Sequence, residues 1–406
     1  MPAVLDHIRV LDLSRILAGP WAGQLFADLG AEVIKVERPG RGDDTRGWGP
    51  PYLNDAGGTP AESAYYLSAN RGKQSVAIDI TRPEGQALVR ELAARSDILL
   101  ENYKVGGLAR YGLDYASLQA VNPGLIYCSI TGFGQTGPYS ERAGYDFLLQ
   151  AMGGLMSITG APDADGGEPT KVGVALTDIL TGMYATVASL GALAHRERTG
   201  EGQHIDLALL DVQVATLANQ AMNYLVGGQV PGRMGNAHPN IVPYQTFPTR
   251  DGYLVLTVGN DDQFRRLCEA MGRPDLPADA AYATNAARVA HRQMLIPELA
   301  AVFRTRATDD WLAELEAAGV PCGPVNTIDR VFADPQIQAR GMQTATEHPE
   351  LGRVPAVANP IRYSATPLDS SRPAPRLGEQ TDAVLRDVLQ YSREAIAGLR
   401  EKGVIG

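Results

Sequence analysis

The chain has 406 residues, of which 44% are hydrophobic and 20% charged. That is globular composition, which excludes disordered and fibrous classes, and the length suits two or three domains. The 36 basic and 46 acidic residues sum to −10, which argues against a general nucleic-acid binder but allows a local basic pocket.

The first elements read as a βαβ unit. Residues 8–13 form a strand, Gly19-Pro20 breaks it, 21–29 has helical spacing, Gly30 stops the helix and 31–36 is a second strand. The alternation recurs, with strands at 75–80, 97–100 and 125–130 and helices at 82–96 and 114–121. Alternating strands and helices imply a doubly wound α/β layer. Residues 38–67 show no period and are rich in Gly, Pro, Asp and Tyr. A loop of that length is usually functional or disordered, and Trp48, Tyr52, Tyr65 and Tyr66 argue against disorder.

Residues 178–198 read as a long helix with an apolar stripe of Ile179, Met183, Val187, Leu190, Leu193 and Ala194. A strand at 204–210 and a helix at 212–225 follow. A hairpin then turns at Thr249-Arg250-Asp251-Gly252, and short helices follow it. The expected organisation is a Rossmann-like large domain over 1–200, a linker and helix over 201–225, a smaller α+β domain over 226–335 and a return to the large domain over 336–406.

No His spacing suits a metal, and the sequence has neither a GxSxG elbow nor a phosphate-binding GxxxxGK[ST] loop. No metal site is expected. Cys128, Cys268 and Cys322 fit no metal knuckle or disulfide framework, so a reducing, cytoplasmic setting is expected. No leader pattern and no apolar run of about 18 residues is visible, so no membrane contact is expected.

What remains is a set of polar, glycine-punctuated segments at strand ends: Leu17-Ala18-Gly19-Pro20, Asn70-Arg71-Gly72-Lys73, Glu101-Asn102-Tyr103-Lys104 and Thr131-Gly132-Phe133-Gly134. Loops at carboxyl strand ends gather ligands. Arg38, Arg71, Lys73, Lys104 and Arg110 could bring cations to a phosphate-bearing ligand. Asp178 lies between an apolar stretch and an apolar helix. It reads either as an N-cap or as a carboxylate nucleophile already ionised at neutral pH.

These segments, with Gly30-Ala31-Glu32-Val33-Ile34-Lys35-Val36-Glu37, Gly144-Tyr145-Asp146 and Arg198-Thr199-Gly200-Glu201-Gly202-Gln203, resemble class III CoA-transferases of the CaiB/BaiF type in order and spacing. Residues 42–51, 237–245 and 320–326 are similar to the succinyl-CoA:glutarate (hydroxymethylglutarate) CoA-transferase branch.

The resemblance implies a CoA-transferase acting through an aspartyl mixed anhydride and an aspartyl-CoA thioester. Asp178 would be the nucleophile. Arg38, Gly72, Lys73, Asn102, Tyr103, Arg110 and Tyr111 would bind CoA. Leu17, Arg46, Arg71, Tyr145 and His238 would face a short dicarboxylic acid. The acyl-CoA thioester is then substrate, with no permanently bound cofactor, and the partner is a second copy in an interlocked homodimer. A glycine-rich covering loop in that family corresponds here to Val258-Gly259-Asn260-Asp261-Asp262-Gln263, with one glycine. The alternatives are an α-methylacyl-CoA racemase, which needs a His where Tyr145 stands, and a non-enzymatic CoA-binding protein.

Overall fold

The computed structural model describes residues 3–55, 57–368 and 371–406. Two compact units are present. One comprises Met1–Gly154, Val172–Ala221 and Pro335–Gly406, the other Leu155–Lys171 and Met222–Asp334.

The first unit holds a six-stranded sheet: β1 (Arg9–Asp12), β2 (Glu32–Glu37), β3 (Gln74–Ala77), β4 (Ile98–Glu101), β5 (Ile126–Thr131) and β6 (His204–Ala208). The order is β3-β2-β1-β4-β5-β6, and every pairing is parallel. This is the Rossmann-type order, with its switch point between β1 and β4. The doubly wound layer expected from alternation is therefore present.

Period-two alternation sends side chains to both faces. Leu11, Ile34, Val76, Leu99 and Tyr127 pack against Leu88, Leu92, Leu118, Leu385 and Ile396. Val10, Val33, Leu100, Ile126 and Cys128 pack on the other face against Phe26, Leu149, Ala185 and Leu193. Each fully buried aliphatic side chain contributes about 1.5–3 kcal/mol.

The strand expected at 204–210 is present as His204–Ala208 and pairs with β5 at the sheet's edge, so this part of 201–225 belongs to the sheet rather than to a linker. Residues 155–171, assigned from sequence to the large domain, group with the second unit. The aperiodic stretch 38–67 contains a short 3-10 turn, Asp44–Gly47, an antiparallel pair, Tyr52–Asn54 with Pro60–Ser63, and the start of helix Ala64–Asn70.

The long helix runs Leu176–Thr199. Its most apolar window has mean hydropathy 1.3, enough by length and composition alone to cross a membrane, and 44% of that window is buried within the protein. The expected apolar stripe is turned inward only at its far end, at Leu190 and Leu193. Thr181, Gly182, Ala185, Ser189 and Ala192 face inward, while Met183 and Val187 are 49% and 66% exposed. Small residues win the inward face because the helix packs against Ala18–Asp28 at close range. A Cβ on Gly182 would lie 2.6 Å from the Ala18 carbonyl oxygen.

The second unit is built on an antiparallel sheet, Tyr244–Pro248, Tyr253–Thr257 and Cys322–Pro324. Its core joins Phe247, Leu254 and Leu256 to Phe264, Leu299, Phe303 and Trp311. The expected hairpin and the helices after it are found there.

Candidate active site

A cavity of about 860 Å³ opens in the first unit at the carboxyl ends of the strands, within the range of small-molecule and cofactor sites. Its lining includes Leu17, Arg38, Asn102, Tyr103, Arg110, Tyr111, Tyr145 and Asp178. The sheet order lays these out. Arg38 follows β2, Leu17 and Asn102 sit at the β1/β4 switch, and Thr131 ends β5 with Gly132 just after it.

Asp178 occupies the first turn of Leu176–Thr199 but does not cap it. The N-cap is Ala175, without a side-chain bond. The cap comes from Asp146, at the start of helix Asp146–Met152. Its Oδ1 accepts the Thr177 amide at 2.8 Å and the Asp178 amide at 3.3 Å. Asp146 thus satisfies two orphan donors and leaves the Asp178 carboxylate to the cavity. Burial, and then the Asp146 charge, raise the Asp178 carboxyl from 3.8 to about 7. The expectation of a fully ionised carboxylate at neutral pH is corrected accordingly: low-dielectric surroundings disfavour its charge.

Three residues expected in the site are committed elsewhere. Lys73 lies just before β3, its side chain fully buried, and donates to Asp12 Oδ2, the Pro20 carbonyl and Asn70 Oδ1, each at 2.9 Å. Burial lowers its ammonium to about 8 against the pull of Asp12. Arg46 is held by Glu37 at 2.7 Å, Glu62 at 2.5 Å and Tyr66 at 2.6 Å, with its guanidinium over the Tyr66 ring. Arg71 pairs bidentately with Asp28 at 2.8 and 2.6 Å. In each case a buried carboxylate claims the cation, because an unpaired buried charge costs far more than a surface one. Gly72 takes φ +76 beside Ala27 and is not part of the cavity lining.

His238 belongs to the second unit. Its Nδ1 accepts the Asn240 amide at 3.0 Å, and its ring tilts against Tyr244. Burial, then Arg292, lower its ring pKa. The segment aligned with the covering glycine loop is a helix cap here: Asn260 Oδ1 accepts the Gln263 amide at 2.8 Å and starts Asp261–Ala270.

The sequence reading passed over several lining groups. Arg15 stacks over Tyr103 and binds Asp44 at 2.8 Å. Arg142 lies over Tyr139 and Phe133, with centroids 4.5 and 5.1 Å away, and lines the same cavity as Asp178. Outside that lining, Tyr65, edge-on to Trp48, feels burial first and then the Asp178 and Asp146 charges, which raise its phenol. Asp146 stood in a quoted motif, but only the fold reveals its capping role. Among the described residues no cluster of His, Cys, Asp or Glu forms a metal site.

The sequence profile of CoA-transferase family III matches residues 5–381. A succinate–glutarate CoA-transferase of Agrobacterium fabrum is 54% identical over 391 residues, covering 96% of this chain and 97% of that protein. A succinyl-CoA:glutarate CoA-transferase of Homo sapiens is 46% identical, covering 99% of this chain and 90% of its own length. The crystal structure of a CaiB/BaiF family protein from Brucella suis superposes with TM-score 0.84 at 52% identity, covering 96% of this chain and 100% of that one. With a doubly wound sheet, a cavity at its carboxyl edge and these likenesses along its length, the chain belongs to CoA-transferase family III.

Proposed function

We propose that the protein moves CoA between succinyl-CoA and glutarate, with Asp178 as nucleophile. Relatives named for that pair of substrates support the reading. The observation that carries it is a carboxylate in a helix's first turn that leaves the capping to Asp146 and lines the cavity.

An Asp178 oxygen attacks the succinyl-CoA carbonyl carbon. The C–S bond breaks, giving a mixed anhydride and CoA thiolate. The thiolate attacks the aspartyl carbonyl carbon, which releases succinate and leaves an aspartyl-CoA thioester. A glutarate carboxylate attacks that thioester and frees the thiolate again. The thiolate then takes the glutaryl carbon, and the Asp178 carboxylate departs. One thioester is exchanged for another, so the sequence draws on neither ATP nor a resident cofactor. Water must stay out, because it hydrolyses both intermediates.

CoA would lie across the carboxyl edge. Arg38, after β2, and Arg110, with Asn102, Tyr103 and Tyr111, suit the nucleotide phosphates and base. Three strand spacings, about 14 Å, separate β2 from β5, a span suited to the pantetheine arm reaching Asp178. Leu17 and Tyr145 would flank the acyl group. Arg46 and Arg71 are withdrawn as readers of the distal carboxylate, and Arg142 takes that place. A homodimer, interlocked as the resemblance implied, would cover the exposed Met183 and Val187. Light scattering on the purified protein tests that, and a monomer refutes it. The buried or half-buried free thiols of Cys128, Cys268 and Cys322 suit a reducing compartment.

The direct test is a mass-spectrometric panel of acyl-CoA donors and acids. Glutaryl-CoA should form from succinyl-CoA and glutarate far faster than butyryl-CoA forms from succinyl-CoA and butyrate. A preference for butyrate refutes the substrate class.

A further inference from the structure

The link between β1 and helix Ala18–Asp28 contains Ile16 at φ +74. This is a left-handed conformation that β-branched residues rarely take, and it persists only where surrounding contacts over-determine it. Here they do. The Asp43 carboxylate accepts the Ile16 amide across both oxygens, 3.3 Å each. Asp43 is itself fixed by Lys35 Nζ at 2.9 Å, both side chains fully buried, and by the Thr45 amide and hydroxyl at 3.0 and 2.8 Å. Lys35 also donates to the Ser14 carbonyl at 2.7 Å. From the other side of the switch point, Asn102 Oδ1 accepts the Arg15 amide at 2.9 Å and its Nδ2 donates to the Arg15 carbonyl at 2.7 Å. Three successive residues are therefore pinned by β2, by the loop after it and by the loop after β4.

The link is in tight contact with what it positions. A Cβ on Gly19 would meet Ser14 Cβ at 2.3 Å, so the turn folds directly onto the helix it starts. A Cβ on Gly182 would meet the Ala18 carbonyl oxygen at 2.6 Å. Gly182 lies one helical turn beyond Asp178. A shift at Ile16 therefore reaches Asp178 through backbone contacts without slack, and Ile16, Leu17, Ala18 and Asp178 line one cavity.

We propose that Asp43, anchored by Lys35, is a positioning residue for CoA transfer: it holds the strained Ile16 turn and so sets the start of helix Ala18–Asp28 against Asp178. The inference rests on the reading of Asp178 as nucleophile. Asp43 also lines the cavity, but its carboxylate is taken up by Lys35, by Thr45 and by the Ile16 amide, so its work is to keep a β-branched residue where glycine would sit freely.

A double-mutant cycle tests this. In the parent background, Asp43→Asn should lower kcat by at least tenfold, with CoA affinity within about threefold of the parent. In the Ile16→Gly background the same Asp43→Asn change should lower kcat by less than about threefold, because glycine needs no clamp. A merely structural role for Asp43 gives equal losses in both backgrounds, and that result overturns the proposal, as does an Asp43→Asn protein with parental kcat. If Asp43→Asn does not fold, Thr45→Val loosens the same carboxylate without uncharging it, and the same rescue by Ile16→Gly is required. Transfer surviving in Asp178→Asn would sink the nucleophile assignment instead. The nucleophile is tested by Asp178→Asn and the positioning by the Asp43–Ile16 cycle, so the two failures are distinguishable.

Discussion

Replacing Asp178 by Asn should inactivate the protein and stabilise it, increasingly so as pH rises. The cause is a carboxyl moved from 3.8 to about 7 by burial and by Asp146. Over that window the folded chain holds a proton that the unfolded chain has lost. Stability therefore falls as pH rises through it, by about 1.4 kcal/mol per pH unit, and stays low above the folded pKa. The accumulated penalty above pH 7 is about 4 kcal/mol at most, an upper bound because Asp178 keeps part of its contact with solvent. Asn is close in shape and carries no such penalty. Between about pH 5 and about pH 8.5 its advantage over the parent should widen by roughly 3 kcal/mol. Guanidinium denaturation of both proteins at the two pH values, at one ionic strength, measures it. An advantage that is equal at both pH values, or absent, would refute the buried-charge reasoning.

The same shift predicts that kcat/KM for acyl-CoA falls about tenfold per pH unit below about 7 and levels off above it, since only ionised Asp178 attacks; a flat profile from about pH 5 to 8 contradicts this. Arg46→Ala strands Glu37 and Glu62 and should destabilise the protein by about 3–5 kcal/mol; a change in glutarate-to-butyrate preference without loss of stability would return Arg46 to the substrate site. Gly182→Ala forces a methyl towards the Ala18 carbonyl, and should cost about 1–3 kcal/mol in thermal unfolding with a lowered kcat. Arg142→Ala should reduce kcat/KM for glutarate at least tenfold more than for butyrate; equal losses would remove it as reader of the distal carboxylate.

The sheet was legible because its residues obey one rule. Val10 and Leu11 go to opposite faces, and glycines or Pro punctuate the connections, so strand positions follow from local pattern alone. The strand ends, and with them Arg38, Asn102, Tyr103 and Arg110, came from the same rule and do line the cavity. The misreadings share a cause. Whether a cation in a loop is free depends on which carboxylate the fold brings to it from far along the chain. Asp28 lies 43 positions from Arg71, and Asp12 lies 61 positions from Lys73. Sequence spacing cannot display those partners. The long helix went wrong for a related reason. Its apolar stripe is real, but contact with Ala18–Asp28 demands small side chains, and Gly182, Ala185 and Ser189 take the inward face. Likewise, Asp178 looked like an N-cap only because Asp146 comes from another helix.

The central claim is that a covalent aspartyl intermediate forms at Asp178. The protein is incubated with succinyl-CoA, trapped with hydroxylamine and digested, and the modified peptide is located by mass spectrometry. The modification is expected on Asp178, dependent on succinyl-CoA and absent from Asp178→Asn. A folded, active protein with no trapped adduct, or with the adduct on another carboxylate, would contradict the account.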